Sequence, residues 1–179
     1  INQDLVSEYG LTFAEISAKH GKIVEYKILD GGASYQFETG YGWYFFYNTD
    51  YMNPSAWGTI EETDEKIPLP DDDYKCIVIS GILASDLFNS SFDSLSIDEL
   101  SKIDGITVTV NKASDEYYNY EGYDIQFKYD GFSHEKLGFT EDSVVFLSHV
   151  SSEDKIEPNT YISIYLLPEI AGKYISINK

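Results

Sequence analysis

Residues that could do chemistry are sparse in this chain and poorly spaced for it. His20, His134 and His149 lie far apart, with none of the intervals that set two ligands on one metal. His20 falls in the last turn of a predicted helix, where a cation near the C-terminus stabilises modestly. Ser152-Glu153-Asp154-Lys155 has the Ser-x-x-Lys form of penicillin-recognising acyl enzymes. The companion Ser-Asp-Asn and Lys-Thr-Gly elements are absent, and the four residues sit in an acidic connection. Asp71-Asp72-Asp73 offers hard oxygens suited to calcium, but without the alternating spacing and central glycine of a calcium loop. It reads as a solvated turn after Pro70. Cys76, the single cysteine, falls in Tyr74-Lys75-Cys76-Ile77-Val78-Ile79, where it reads as a small hydrophobe in a buried strand. The 31 acidic residues could supply an acid/base dyad in space, yet sequence nominates no pair. The expectation is a protein that is not an enzyme and holds no metal or cofactor.

Aromatic residues are the richer signal. Gly40-Tyr41-Gly42-Trp43-Tyr44-Phe45-Phe46-Tyr47 is followed by Tyr51, Met52 and Trp57. In a strand, Trp43, Phe45 and Tyr47 share one face while Tyr44 and Phe46 share the other. A second group, Tyr117-Tyr118-Asn119-Tyr120, reads as a polar loop between Glu116 and Glu121. Tyr and Trp give large contact area at low entropy cost, the make-up of binding hot spots. Tyr44, Tyr47, Tyr51, Trp57, Tyr117, Tyr118 and Tyr120 are therefore the candidate binding residues. The competing reading is that these rings cover a sheet face or pack between two halves of the chain.

Charge restricts the partners. The 179 residues carry a net charge of −19 and no arginine, so the bidentate fork that grips phosphate is missing. Nucleic acid is excluded on that ground, and attraction to anionic lipid is disfavoured. No apolar run has the length of a membrane span, so no membrane insertion is expected. The chain starts at Ile1, which suggests a removed N-terminal segment and an extracytoplasmic protein.

The elements that must position these residues begin with a helix-start code that occurs twice. Leu11-Thr12-Phe13-Ala14-Glu15-Ile16 ends towards Gly21, and Leu95-Ser96-Ile97-Asp98-Glu99-Leu100 ends towards Gly105. Each pairs a capping hydroxyl with a carboxylate three residues on and has the spacing of a hydrophobic staple. Predicted helices cover 2–8, 13–20, 82–88 and 97–104. Predicted strands cover 22–29, 33–38, 41–47, 74–80, 106–112, 123–129, 143–149, 161–167 and 173–177. Asn48 to Asp73 reads as a long connection holding Pro54, Pro68 and Pro70. The expected fold is α+β, two tandem helix–helix–antiparallel-sheet repeats (1–80 and 81–179) with helices packed on one face of the sheet.

Short capped helices such as Thr12-Phe13-Ala14-Glu15-Ile16 and Ser96-Ile97-Asp98-Glu99-Leu100, each with a closing glycine and a following strand, resemble the β-lactamase-inhibitor-protein-like group. That group includes small bacterial envelope lipoproteins. The resemblance implies an extracytoplasmic, non-enzymatic binding protein. The inhibitor proteins hold disulfides within their repeats, which a chain with one cysteine cannot form.

Together these features point to a monomeric, secreted or envelope-associated protein. It would bind a protein or peptide, plausibly basic, through an aromatic sheet face and the 48–73 loop. The alternatives are a carbohydrate- or wall-binding module using the same rings as stacking platforms, and a hydrolase with an unlocated carboxylate dyad.

Overall fold

The computed structural model describes residues 1–29, 32–46, 56–89, 92–115, 120–129, 144–150 and 155–166. In chain order the elements are α1 (Gln3–Val6), α2 (Phe13–His20), β1 (Ile23–Leu29), β2 (Gly32–Phe37), β3 (Trp43–Phe46), β4 (Ala56–Ile60), β5 (Glu65–Leu69), β6 (Cys76–Leu83), α3 (Ala84–Leu87), β7 (Leu95–Ser96), α4 (Ile97–Leu100), β8 (Ile106–Asp115), β9 (Tyr120–Tyr129), β10 (Val144–Val150), β11 (Lys155–Ile156) and β12 (Tyr161–Leu166). Eight strands form one antiparallel sheet in the order β1-β2-β3-β6-β12-β10-β9-β8, with β4-β5 and β7-β11 as separate ribbons. Strands from the two halves of the chain meet where β6 pairs with β12, and residue 80 lies inside β6.

This corrects the expected α+β class. Among the described residues the protein is mostly antiparallel β-sheet, and the four helices there are short. It is not an arrangement of helix–helix–sheet repeats with helices packed on a sheet face. Only α2 reaches its expected length. The expected 97–104 helix stops at Leu100, and Gly105, though left-handed at φ 76°, lies beyond its end. The expected 82–88 helix loses its first two residues to β6, because a short apolar run has no period that separates buried strand from buried helix.

Both capping boxes form. Thr12 Oγ1 accepts from Glu15 N at 3.2 Å while Glu15 Oε2 accepts from Thr12 N at 2.8 Å. Ser96 and Glu99 repeat the pair at 3.2 and 2.8 Å. These bonds hold the Glu99 carboxyl below its usual pKa, chiefly through the Ser96 backbone N–H. Thr12→Ala and Ser96→Ala should each lower the unfolding free energy by about 1 kcal/mol in urea titrations. A loss near zero would show that tertiary packing alone fixes these helix starts.

Register assigns the two sheet faces. One row across the sheet runs Tyr35, Tyr44, Ile79, Ile164, Phe146, Phe127 and Val108. Tyr35, Tyr44, Ile79, Ile164 and Phe127 in that row are fully buried, in a core shared with Leu5, Val6, Phe13 and Ile16 from the helical segments. Phe13 meets Phe46 edge-on at 5.2 Å between centroids. The opposite face carries Gln36, Trp43, Phe45, Val78 and Ser80, half-buried, and Lys27, Thr107, Thr109, Gln126 and Lys128, exposed. Trp43 and Phe45 thus lie on one side and Tyr44 and Phe46 on the other, as strand alternation requires.

Residues 48–73, expected to be a connection, contain the β4-β5 hairpin. Pro68 removes a strand donor and so masks the signal, yet it stands opposite Trp57, and its carbonyl accepts from the Tyr35 hydroxyl at 2.6 Å. Ile60 and Ile67 bury the inner side of the hairpin. Cys76 is fully buried, and burial pushes its thiol pKa well above the usual range. Native protein should therefore resist thiol reagents until denatured; rapid native labelling would contradict this placement.

Candidate functional site

The open sheet face holds a hollow of about 750 Å³, within the size range of ligand sites. Its floor and walls come from five strands and one helix, with Lys27 (β1), Gln36 (β2), Trp43 (β3), Ser80 (β6), Tyr161 (β12) and Asp86 (α3) as the side chains that matter most.

A β-bulge shapes it. Ile82 stands opposite Ile162 and Ile79 opposite Ile164, so Ser80 and Gly81 share the single partner Ser163. The extra residue resets the alternation, which lets Ile79 and Ile82 both reach the core at 0% exposure. Gly81 takes the left-handed conformation at φ 70°, and a Cβ there would stand 3.3 Å from Trp43 Cδ1. At Gly42 a Cβ would collide with the Ser80 carbonyl oxygen. The missing side chain at Gly81 leaves the indole of Trp43 uncovered on that side. Over the ring, Lys27 Nζ lies 3.7 Å from the centroid.

Beneath the sheet, a buried polar network holds the start of β3. Glu8 is fully buried. Its Oε1 accepts from His20 Nε2 at 2.7 Å and Lys19 Nζ at 2.6 Å, and its Oε2 accepts from the Tyr44 hydroxyl at 2.5 Å. Tyr44 Oη in turn accepts from Tyr41 N at 3.2 Å, and His20 Nδ1 faces Thr39 Oγ1 at 3.2 Å. Burial raises the Tyr44 phenol far above its ordinary pKa, reinforced by the Glu8 carboxylate. Burial works against the Lys19 cation, but hydrogen bonds to Glu8 and Asp4 outweigh it and raise its pKa. Tyr41 lines the hollow, donates its hydroxyl to Asp4 Oδ2 at 3.2 Å and meets the His20 ring edge-on at 6.1 Å. The network ties α1 and α2 to the loop that carries Tyr41, Gly42 and Trp43. Glu8 itself escaped the sequence reading, since nothing local links it to a histidine twelve residues on.

Of the expected binding residues, Tyr44 and Trp57 have described side chains, and the two do not share a surface. Tyr44 is fully buried, which overturns its expected exposure. Trp57 is 61% exposed but lies on the β4-β5 hairpin and takes no part in the hollow. The backbone of Tyr120 belongs to β9, opposite Asp115, rather than to a loop. Tyr47, Tyr51, Tyr117 and Tyr118 lie outside the described residues. Trp43 and Tyr161, neither of them a candidate, line the hollow, and Tyr161 is 67% exposed.

His134 and Ser152 lie outside the described residues, and Lys155 stands 3.7 Å from Glu157. Asp71 and Asp72 spend their carbonyls in a turn, accepting from Tyr74 N and Ala14 N. Among the described residues, no group of three or more His, Cys, Asp or Glu is arranged to hold a metal ion. No helix among them is long and apolar enough to cross a membrane. No protein-family model, curated protein or solved structure was found to match this chain.

Proposed function

We propose that this chain is a non-catalytic binding protein that presents the open face of its sheet to a protein or peptide partner. One observation carries the reading. The hollow combines aromatic walls with polar side chains, Gln36, Ser80 and Asp86, that make no hydrogen bond or ion pair to other described residues. Polar groups left unused beside exposed rings are available to a ligand, whereas the Glu8 network spends its polar groups internally. The secreted or envelope setting implied by the sequence resemblance, and a monomeric state, accompany this proposal.

The test is selection from a displayed peptide library on immobilised protein, repeated with Trp43→Ala and Tyr161→Ala. Selected peptides should lose about 2 kcal/mol of affinity to either variant while each variant still folds, with a melting temperature lowered by only a few degrees. Peptides that bind wild type and both variants equally would remove the hollow from the function. Selection of nothing, with soluble oligosaccharides perturbing Trp43 instead, would favour the carbohydrate-binding alternative.

A further inference from the structure

We infer that the hollow seats a cationic side chain, a lysine or arginine carried by the protein or peptide partner; this rests on the binding role proposed above. The lining of the hollow includes Asp86, on the four-residue helix α3. Its backbone is committed, the carbonyl accepting from Asn2 Nδ2 at 3.0 Å. Asp86 as a residue is half-buried, and its side chain has neither a hydrogen-bond nor an ion-pair partner among the described residues. A carboxylate that lines a hollow without a counter-charge is free to pair with an arriving cation. Tyr41 and Tyr161 line the same hollow, and the Tyr41 hydroxyl donates to Asp4 Oδ2 at 3.2 Å. Carboxylate and ring faces together are the setting that receives an ammonium or guanidinium.

Lys27 does not supply the missing counter-charge. Its ammonium rests on Trp43 and forms no ion pair with a described carboxylate, so the indole already accommodates a cation while Asp86 stays uncompensated. The rest of the protein acts in the same direction. Lys19 is engaged by Asp4 and Glu8, and Lys22 by Glu61, and the net charge of −19 over the whole chain draws basic partners in and repels acidic ones.

The experiment uses Trp57→Phe protein, in which Trp43 is the remaining one of two tryptophans and reports on the hollow. Capped peptides alternating threonine with arginine, glutamine or glutamate are titrated against its fluorescence. The arginine peptide should saturate the signal roughly tenfold more tightly than the glutamine peptide, and the glutamate peptide should bind least. Asp86→Asn should weaken the arginine peptide roughly tenfold. A diffuse attraction would barely notice one charge in a net of −19. Lys27→Met should tighten the arginine peptide by relieving repulsion, and this reads the sign of the site even if Asp86→Asn fails to fold. Equal binding of all three peptides, or weakening by Lys27→Met, would overturn the cation site and leave the binding role standing. Silence of Trp43 towards every peptide would overturn both.

Discussion

Glu8→Ala should destabilise the protein by about 3–5 kcal/mol, the loss typical when one partner of a buried ion pair is removed. Glu8 is the common acceptor of His20, Lys19 and Tyr44, at 2.7, 2.6 and 2.5 Å. Lys19 would keep Asp4 at 2.9 Å and remains one-third exposed, so its loss is small. His20 and Tyr44 would keep only each other, with Nε2 and Oη 3.5 Å apart: both are buried, and a donor left without a good acceptor away from water costs about 1–3 kcal/mol. Glu8→Gln keeps an acceptor for one donor and should cost clearly less. Urea unfolding of the three proteins, with slopes checked for constancy, measures the difference. A loss below about 1 kcal/mol for Glu8→Ala would mean that water satisfies the network and that it does not fix the β3 start.

Local order was legible where local interactions dictate it. The α2 boundaries follow from a capping box and a closing glycine, interactions that span four residues or fewer. The hairpin β1-β2 and the alternation Trp43, Tyr44, Phe45, Phe46 follow from period-two patterning. Alternation divides a strand into two faces without saying which one is covered, so Tyr44 could stand as a binding residue until the cross-strand row from Tyr35 to Phe127 assigned it to the core. The β4-β5 hairpin was hidden by Pro68 and the acidic turn at Glu61-Glu62, since its stability comes from Ile60, Ile67 and the Tyr35 hydroxyl rather than from strand propensity. The hollow needed three things that lie far apart in sequence: a bulge at Gly81, bare backbone at Gly42, and Tyr161 arriving beside Leu83. The cost of Cβ atoms at those glycines appears only once β3 and β6 are paired.

Two neighbouring residues, Trp43 and Tyr44, should respond to alanine in opposite ways. Tyr44 is fully buried, meets Phe37 edge-on at 5.5 Å, and donates to Glu8. Its replacement removes a large ring from a packed core and strands one Glu8 oxygen, so Tyr44→Ala should cost about 3–5 kcal/mol of stability. Tyr44→Phe keeps the ring and loses only the hydroxyl, which isolates a share of about 1–3 kcal/mol. Trp43 faces the hollow, half-buried, with Lys27 as its stacked neighbour. Trp43→Ala should therefore cost only about 1–2 kcal/mol of stability, because that side of the ring was already open to solvent. Its effect should fall on ligand capture instead. Calorimetric melting of the three variants, paired with peptide affinity, separates the faces. Comparable stability losses at Trp43 and Tyr44 would mean that the Trp43 side of the sheet is packed rather than open. In that case the hollow would be core, and both the binding role and the cation site would lose their foundation.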